Sequence, residues 1–137
     1  MKVALSGVDM RDGALLSKVK KTLESLTVKT QIMKDDDYHL ANEVDLVMVA
    51  GGDRGILDYF HRIEFDSPPV LGIYETDSTG FLAQLDARDL ESATTQLKRG
   101  SYSVEEVFRL AVEVDGKQAY PVLNDVAVFP SKSATLM

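Results

Sequence analysis

The chain has no cysteine among its 137 residues. That excludes disulfides and thiolate metal sites and suits a reducing, cytoplasmic setting. It has no apolar run near the ~20 residues that span a bilayer, so no membrane partner is expected. The opening run Met1–Gly7 is also too short for a signal peptide and reads as a first strand. Positive charge is scarce: 15 Lys and Arg stand against 22 Asp and Glu, a net charge of −7. No basic patch stands out to neutralise a polynucleotide backbone, which argues against a general nucleic-acid binder. A small phosphorylated ligand remains open, because backbone N–H groups and one or two cations can hold it.

What is present suits one globular domain with a real core: 45% of residues are hydrophobic and 27% charged. Lys2–Ser6 reads as a strand. Leu15, Val19, Leu23 and Leu26 recur at helical spacing across Ala14–Leu26, with Lys18, Lys20, Lys21 and Glu24 mostly on the other face. Val28–Met33 is a second strand. Asp35, Asp36 and Asp37 follow it, and three adjacent carboxylates that diverge in direction read as a solvated turn before a metal site. Asp45–Ala50 is a third strand of the kind buried on both faces, Gly55–Ile63 a helix, and Pro69–Tyr74 a fourth strand. This alternation predicts an α/β fold, a doubly wound and mostly parallel sheet with helices on both faces. In such sheets ligands sit beyond the carboxyl ends of the strands. The polar, glycine-bearing loops Gly51–Gly55 and Glu75–Gly80 both lie there.

The stretch Val47–Gly55 carries the most information. An apolar strand ends in Gly51, Gly52 and Asp53, and Ile56, Leu57 and Phe60 then keep a helical register. Glycines at such a turn let backbone approach a ligand, and a helix N-terminus attracts phosphate. A carboxylate there is badly sited for phosphate but well sited to hold a hydroxyl or a metal. Asp53 therefore points to chemistry beside a phosphate. The same three residues also make an ordinary turn, with Asp as a helix cap.

Beyond Leu90–Leu97, a short helix closed by Gly100, the pattern changes. Val104–Val114 and Val122–Phe129 flank Asp115-Gly116, a strong hairpin signal. A lone hairpin is marginal in water, so residues 1–100 are expected to form the α/β domain and residues 101–137 the start of a second, β-rich domain that is cut short.

Three motifs together resemble the NAD kinases, over nearly the whole chain: Gly51-Gly52-Asp53, Pro69–Ile73 leading to Gly80-Phe81-Leu82, and Asn124-Asp125 in a late apolar stretch. The resemblance implies transfer of the terminal phosphoryl of ATP or polyphosphate to the 2′-hydroxyl of the adenosine ribose of NAD. It also implies magnesium or another divalent cation, with metal ligands left unassigned. By that similarity Asp53 is the general base, a role the chemistry can use. Gly51 and Gly52 close on phosphate, Phe81 and Leu82 line the nucleotide pocket, and Asn124 and Asp125 hydrogen-bond NAD. A core-packing role for Phe81 stays open. So does a hairpin bulge at Asn124, although an amide buried in an apolar strand needs partners. The resemblance further implies a homo-oligomer in the full-length protein.

The chain departs from the family where Gly-Gly-Asp-Gly-Thr becomes Gly-Gly-Asp-Arg-Gly. Arg54 either neutralises phosphate charge or fills space where backbone should approach the ligand. The loop Tyr74–Thr79 is one residue longer and made acidic by Glu75 and Asp77, and Asp125 replaces a Glu. The family's second domain is absent, so this chain alone is expected to be inactive. The alternative is a non-catalytic α/β nucleotide-binding or regulatory module derived from the same fold. A receiver-type regulator fits poorly, since Ser6-Gly7 stand where acidic residues should follow the first strand.

Overall fold

Leu46, Val47, Met48, Val49 and Ala50 are all buried, as a strand covered on both faces requires. The computed structural model describes residues 1–7, 13–34, 43–63, 67–75, 80–119 and 121–127. In it this strand, β3 (Leu46–Ala50), is the centre of a five-stranded sheet. Its companions are β1 (Lys2–Gly7), β2 (Lys29–Ile32), β4 (Val70–Tyr74) and β5 (Leu85–Asp86). The order is β2-β1-β3-β4-β5 and every pair is parallel. From β1 the chain moves outward to one side, and from β3 to the other. The β1/β3 boundary is thus the point where a doubly wound sheet opens a crevice.

Side chains alternate across the sheet. Val3, Leu5, Met48 and Ile73 pack with α1 (Gly13–Ser25) and α3 (Leu90–Lys98), while Ala4, Val47 and Val49 pack with α2 (Gly52–Arg62). Leu15, Val19 and Leu23 form the buried stripe of α1, each worth roughly 1.5–3 kcal/mol on burial. On the other face, Ile56, Tyr59 and Ile63 cover the sheet, and the Tyr59 hydroxyl is hydrogen-bonded to Ser67 Oγ at 2.9 Å.

Two helices end in the same way with different residues. In α3, Gly100 takes a φ of 69°, its N–H donates to the Leu97 carbonyl, and the Ser101 N–H donates to Gln96. In α1, Thr27 takes that position at φ 58°, donating to Glu24 while Val28 donates to Leu23. Both are Schellman closures, normally completed by glycine. Lys98 joins the two ends by donating from Nζ to the Leu26 carbonyl at 2.8 Å.

The structure corrects the sequence reading in several places. Helix α2 starts at Gly52, not Gly55, because Gly51 (φ 142°) and Gly52 (φ 62°) complete the turn between them. Asp53 thus lies inside the first helical turn. Strand β5 has only two residues and gave no periodic signal. The Asp115-Gly116 turn is present, with φ 51° and 74°, but the strands it joins are only β6 (Glu113–Val114) and β7 (Lys117–Gln118). A single bridge, Leu110 to Val122, extends the pairing. The rest of Val104–Val114 is not strand, and Val104, Val107 and Phe108 are exposed. Apolar arms of a hairpin need a covering layer to hold them flat, and none is present among the described residues. Asn124 is likewise exposed, not buried in an apolar strand. The Asp35–Asp37 run, Asp77 and residues 128–137 lie outside the described residues.

Candidate functional site

The site begins where β3 runs into α2. Gly51 donates to the Ile73 carbonyl at 3.2 Å, which ties the turn to the neighbouring strand β4. At Gly52 an added Cβ would meet only Tyr74 Cβ, at 3.8 Å. Space does not demand glycine there; the left-handed φ does. The first N–H groups of α2 consequently open toward the carboxyl edge of the sheet.

Asp53 does not stand free at this edge. Its Oδ1 accepts backbone N–H bonds from Leu82 and Ala83 at 2.8 Å each and from Phe81 at 3.0 Å. Its Oδ2 accepts a second branch from Phe81 at 2.9 Å. The loop after β4 is thereby clamped onto the first turn of the helix after β3. The Ala83 N–H is the main cause holding the Asp53 carboxyl below the usual carboxylate range. Partial burial opposes it, and the Phe81 and Leu82 N–H groups add to it. Such a carboxylate is a fixed acceptor, and Oδ2, with one N–H bond, retains acceptor capacity.

Two glycines allow the clamp. A Cβ on Gly72 would sit 2.7 Å from Ile56 Cδ1 and 2.8 Å from Ala83 Cα, and one on Gly80 would overlap the Ala83 carbonyl oxygen. Gly72 could have been noticed from sequence, since glycine inside an apolar strand often marks a close backbone approach. The N–H group of Ala83 has no sequence signal, because every residue but proline carries one.

Of the residues singled out from sequence, Gly51, Gly52, Asp53, Arg54, Phe81 and Leu82 gather at this edge. Leu82 packs against the α2 side of the core, while Phe81 is 89% exposed, so core packing does not explain it. Arg54 is exposed on the first turn of α2. Asn124 and Asp125 are not joined to the cluster by any described contact; Asn124 Nδ2 donates to Asp125 Oδ1 at 3.3 Å. Leu123, just before them, does pack on the α2 side. A feature with no advance signal is Arg109, whose Nη1 donates to the Phe60 and Ile63 carbonyls at 3.2 and 2.9 Å and so closes the far end of α2.

The described residues do not suit a protein-held divalent cation. No three histidines or carboxylates converge among them, and the Asp53 oxygens carry N–H bonds. No described helix is long and apolar enough to cross a membrane.

The family profile described as the ATP-NAD kinase N-terminal domain matches residues 5–102. An NAD kinase of Methanopyrus kandleri is 30% identical over 98 residues, covering 72% of this chain and 35% of that protein. One from Pseudomonas paraeruginosa is 35% identical over 97 residues, covering 68% and 32%. The chain thus spans about a third of the length of these curated relatives. Among solved structures, a yeast NADH kinase in complex with NADH superposes with a TM-score of 0.63 at 15% identity, covering 89% of this chain and 46% of that one. At that identity the likeness is one of fold.

Proposed function

This chain belongs to the ATP-NAD kinase N-terminal domain family, and on that premise we propose that its protein transfers the terminal phosphoryl of ATP or polyphosphate to the 2′-hydroxyl of NAD. The observation that carries this reading is the clamp between Asp53 and residues 81–83, which makes one site of two loops at the carboxyl edge of the sheet. The hydroxyl of the acceptor ribose donates to Asp53 Oδ2. Its oxygen attacks the terminal phosphorus, the bond to the bridging oxygen breaks, and the proton passes to the carboxylate. Phosphoryl transfer through a loose transition state depends mostly on positioning, so a carboxylate of depressed pKa can serve. Gly51 and Gly52 bring backbone against phosphate, and the exposed Phe81 ring with Leu82 lines the nucleotide cleft. Asn124 and Asp125 complete the NAD contacts from the second domain. A divalent cation would arrive on the phosphates of the donor.

Arg54 favours a second reading, a non-catalytic nucleotide-binding module, because it stands where the family carries glycine. A coupled assay for NADP formation by the full-length protein, with ATP and then polyphosphate, tests the kinase reading. Arg54→Gly in the same assay is expected to raise KM for the phosphate-bearing substrate about tenfold or more, the loss of one charge-assisted bond. A folded full-length protein that makes no NADP with either donor supports the module instead.

A further inference from the structure

Asp53 accepts hydrogen bonds from three consecutive backbone N–H groups 28 to 30 residues away in sequence. Successive N–H groups that converge in this way form an anion-binding nest, and here the anion is supplied by the protein itself. Phe81 is 89% exposed, Leu82 only half-buried, and Ala83 alone is buried. Glycine at 72 and at 80 keeps the backbone close enough for the bonds to form.

We propose that Asp53 is a positioning residue as well as a substrate contact: its carboxylate organises the N–H nest of Phe81, Leu82 and Ala83 and thereby sets where Phe81 stands at the mouth of the cleft. Occupancy of the nest and contact with substrate fall to different oxygens. Oδ1 collects three N–H bonds, whereas Oδ2 takes only one branch from Phe81 and retains acceptor capacity for a substrate hydroxyl. The carboxylate therefore holds the acceptor nucleotide indirectly, through the loop, in addition to any direct part in the transfer. This rests on the proposed kinase reading only for its kinetic readout.

The substitution Asp53→Asn retains a carbonyl oxygen to fill the Oδ1 position, whereas Asp53→Ala empties the nest. Gly80→Ala attacks the same loop from the other side and leaves the carboxylate intact. Amide hydrogen exchange and steady-state kinetics are measured on the full-length protein and its three variants. Asp53→Ala is expected to speed exchange at residues 81–83 about tenfold or more, with KM for NAD rising by a similar factor, each the counterpart of a lost charge-assisted bond. Gly80→Ala is expected to match both changes. Asp53→Asn should lose turnover but keep most of the protection and KM of the unaltered protein. Exchange at residues 81–83 that is unchanged in Asp53→Ala overturns the proposal, whatever happens to turnover. Should Asp53→Ala unfold, the unaltered protein decides: the three amide shifts must move together as acid protonates one carboxyl, and shifts that do not co-titrate overturn it. If the unaltered protein makes no NADP, the kinase reading fails, and the exchange and titration results still judge the nest.

Discussion

Replacing Gly72 by alanine tests whether helix α2 and the loop after β4 are packed as tightly as their contacts indicate. The new methyl carbon would lie 2.7 Å from Ile56 Cδ1, 2.9 Å from Ile56 Cγ1 and 2.8 Å from Ala83 Cα. Carbon pairs pack best at about 3.5–4.0 Å, so each neighbour must yield by about 0.7 Å. Ile56 is buried and branched at Cβ, which leaves it few rotamers to escape into. Ala83 presents backbone, which moves only with its loop. Overpacking of this kind costs about 1–3 kcal/mol, and displacing residue 83 also strains its bond to Asp53, so the upper part of that range is expected. For a domain of this size that lowers Tm by roughly 2–8 °C per kcal/mol. Urea denaturation followed by circular dichroism measures the change, with an unchanged m-value showing that the native state is preserved. Gly13→Ala is the control. Its methyl meets nothing within 4 Å, so it should be neutral or stabilising by ~0.4–1 kcal/mol. If Gly72→Ala and Gly13→Ala are equally stable, the close approach of strand, helix and loop is wrong.

Thr27→Gly should stabilise the chain by about 0.5–1 kcal/mol, because relief of a β-branched residue at φ 58° outweighs the added freedom of glycine in the unfolded state; a loss on thermal melting would contradict the Schellman closure of α1. Asp53 has a folded pKa below its unfolded value, so its stabilisation is present above the ordinary carboxylate range and is lost as pH falls through the depressed pKa. Acid denaturation of Asp53→Asn should accordingly be shallower than that of the unaltered chain below about pH 4, and identical slopes would show that the clamp carries no charge-dependent stability.

Much of the frame was legible because its signals are local. The period of Leu15, Val19 and Leu23 requires only a helix with one buried face, and the unbroken run Leu46–Ala50 requires only a covered strand. Asp115-Gly116 requires a turn with two positive φ angles, and Gly51-Gly52 a sharp entry to a helix; the backbone states of these three glycines and Asp115 follow these expectations. The two-residue strand β5 was not legible, since two residues cannot display a period. Nor was Thr27, whose position at a helix end is normally advertised by glycine.

The sequence by itself determined the strands β1 to β4 and the helices α1 to α3 to within a few residues, the doubly wound order they imply, and that Gly51-Gly52-Asp53 stands at the carboxyl edge of the sheet. Those conclusions rest on side-chain periodicity and on φ values that few residues tolerate, and both act within a few residues. Only the tertiary structure decided what Asp53 touches, because its donors are backbone groups 28 to 30 residues away that no side chain distinguishes. It alone decided that Phe81 faces solvent and that Val104, Val107 and Phe108 do not form a strand. Whether an apolar side chain is covered depends on which other surfaces reach it, and that is settled by the packing of whole elements, not by the residue or its neighbours in the chain.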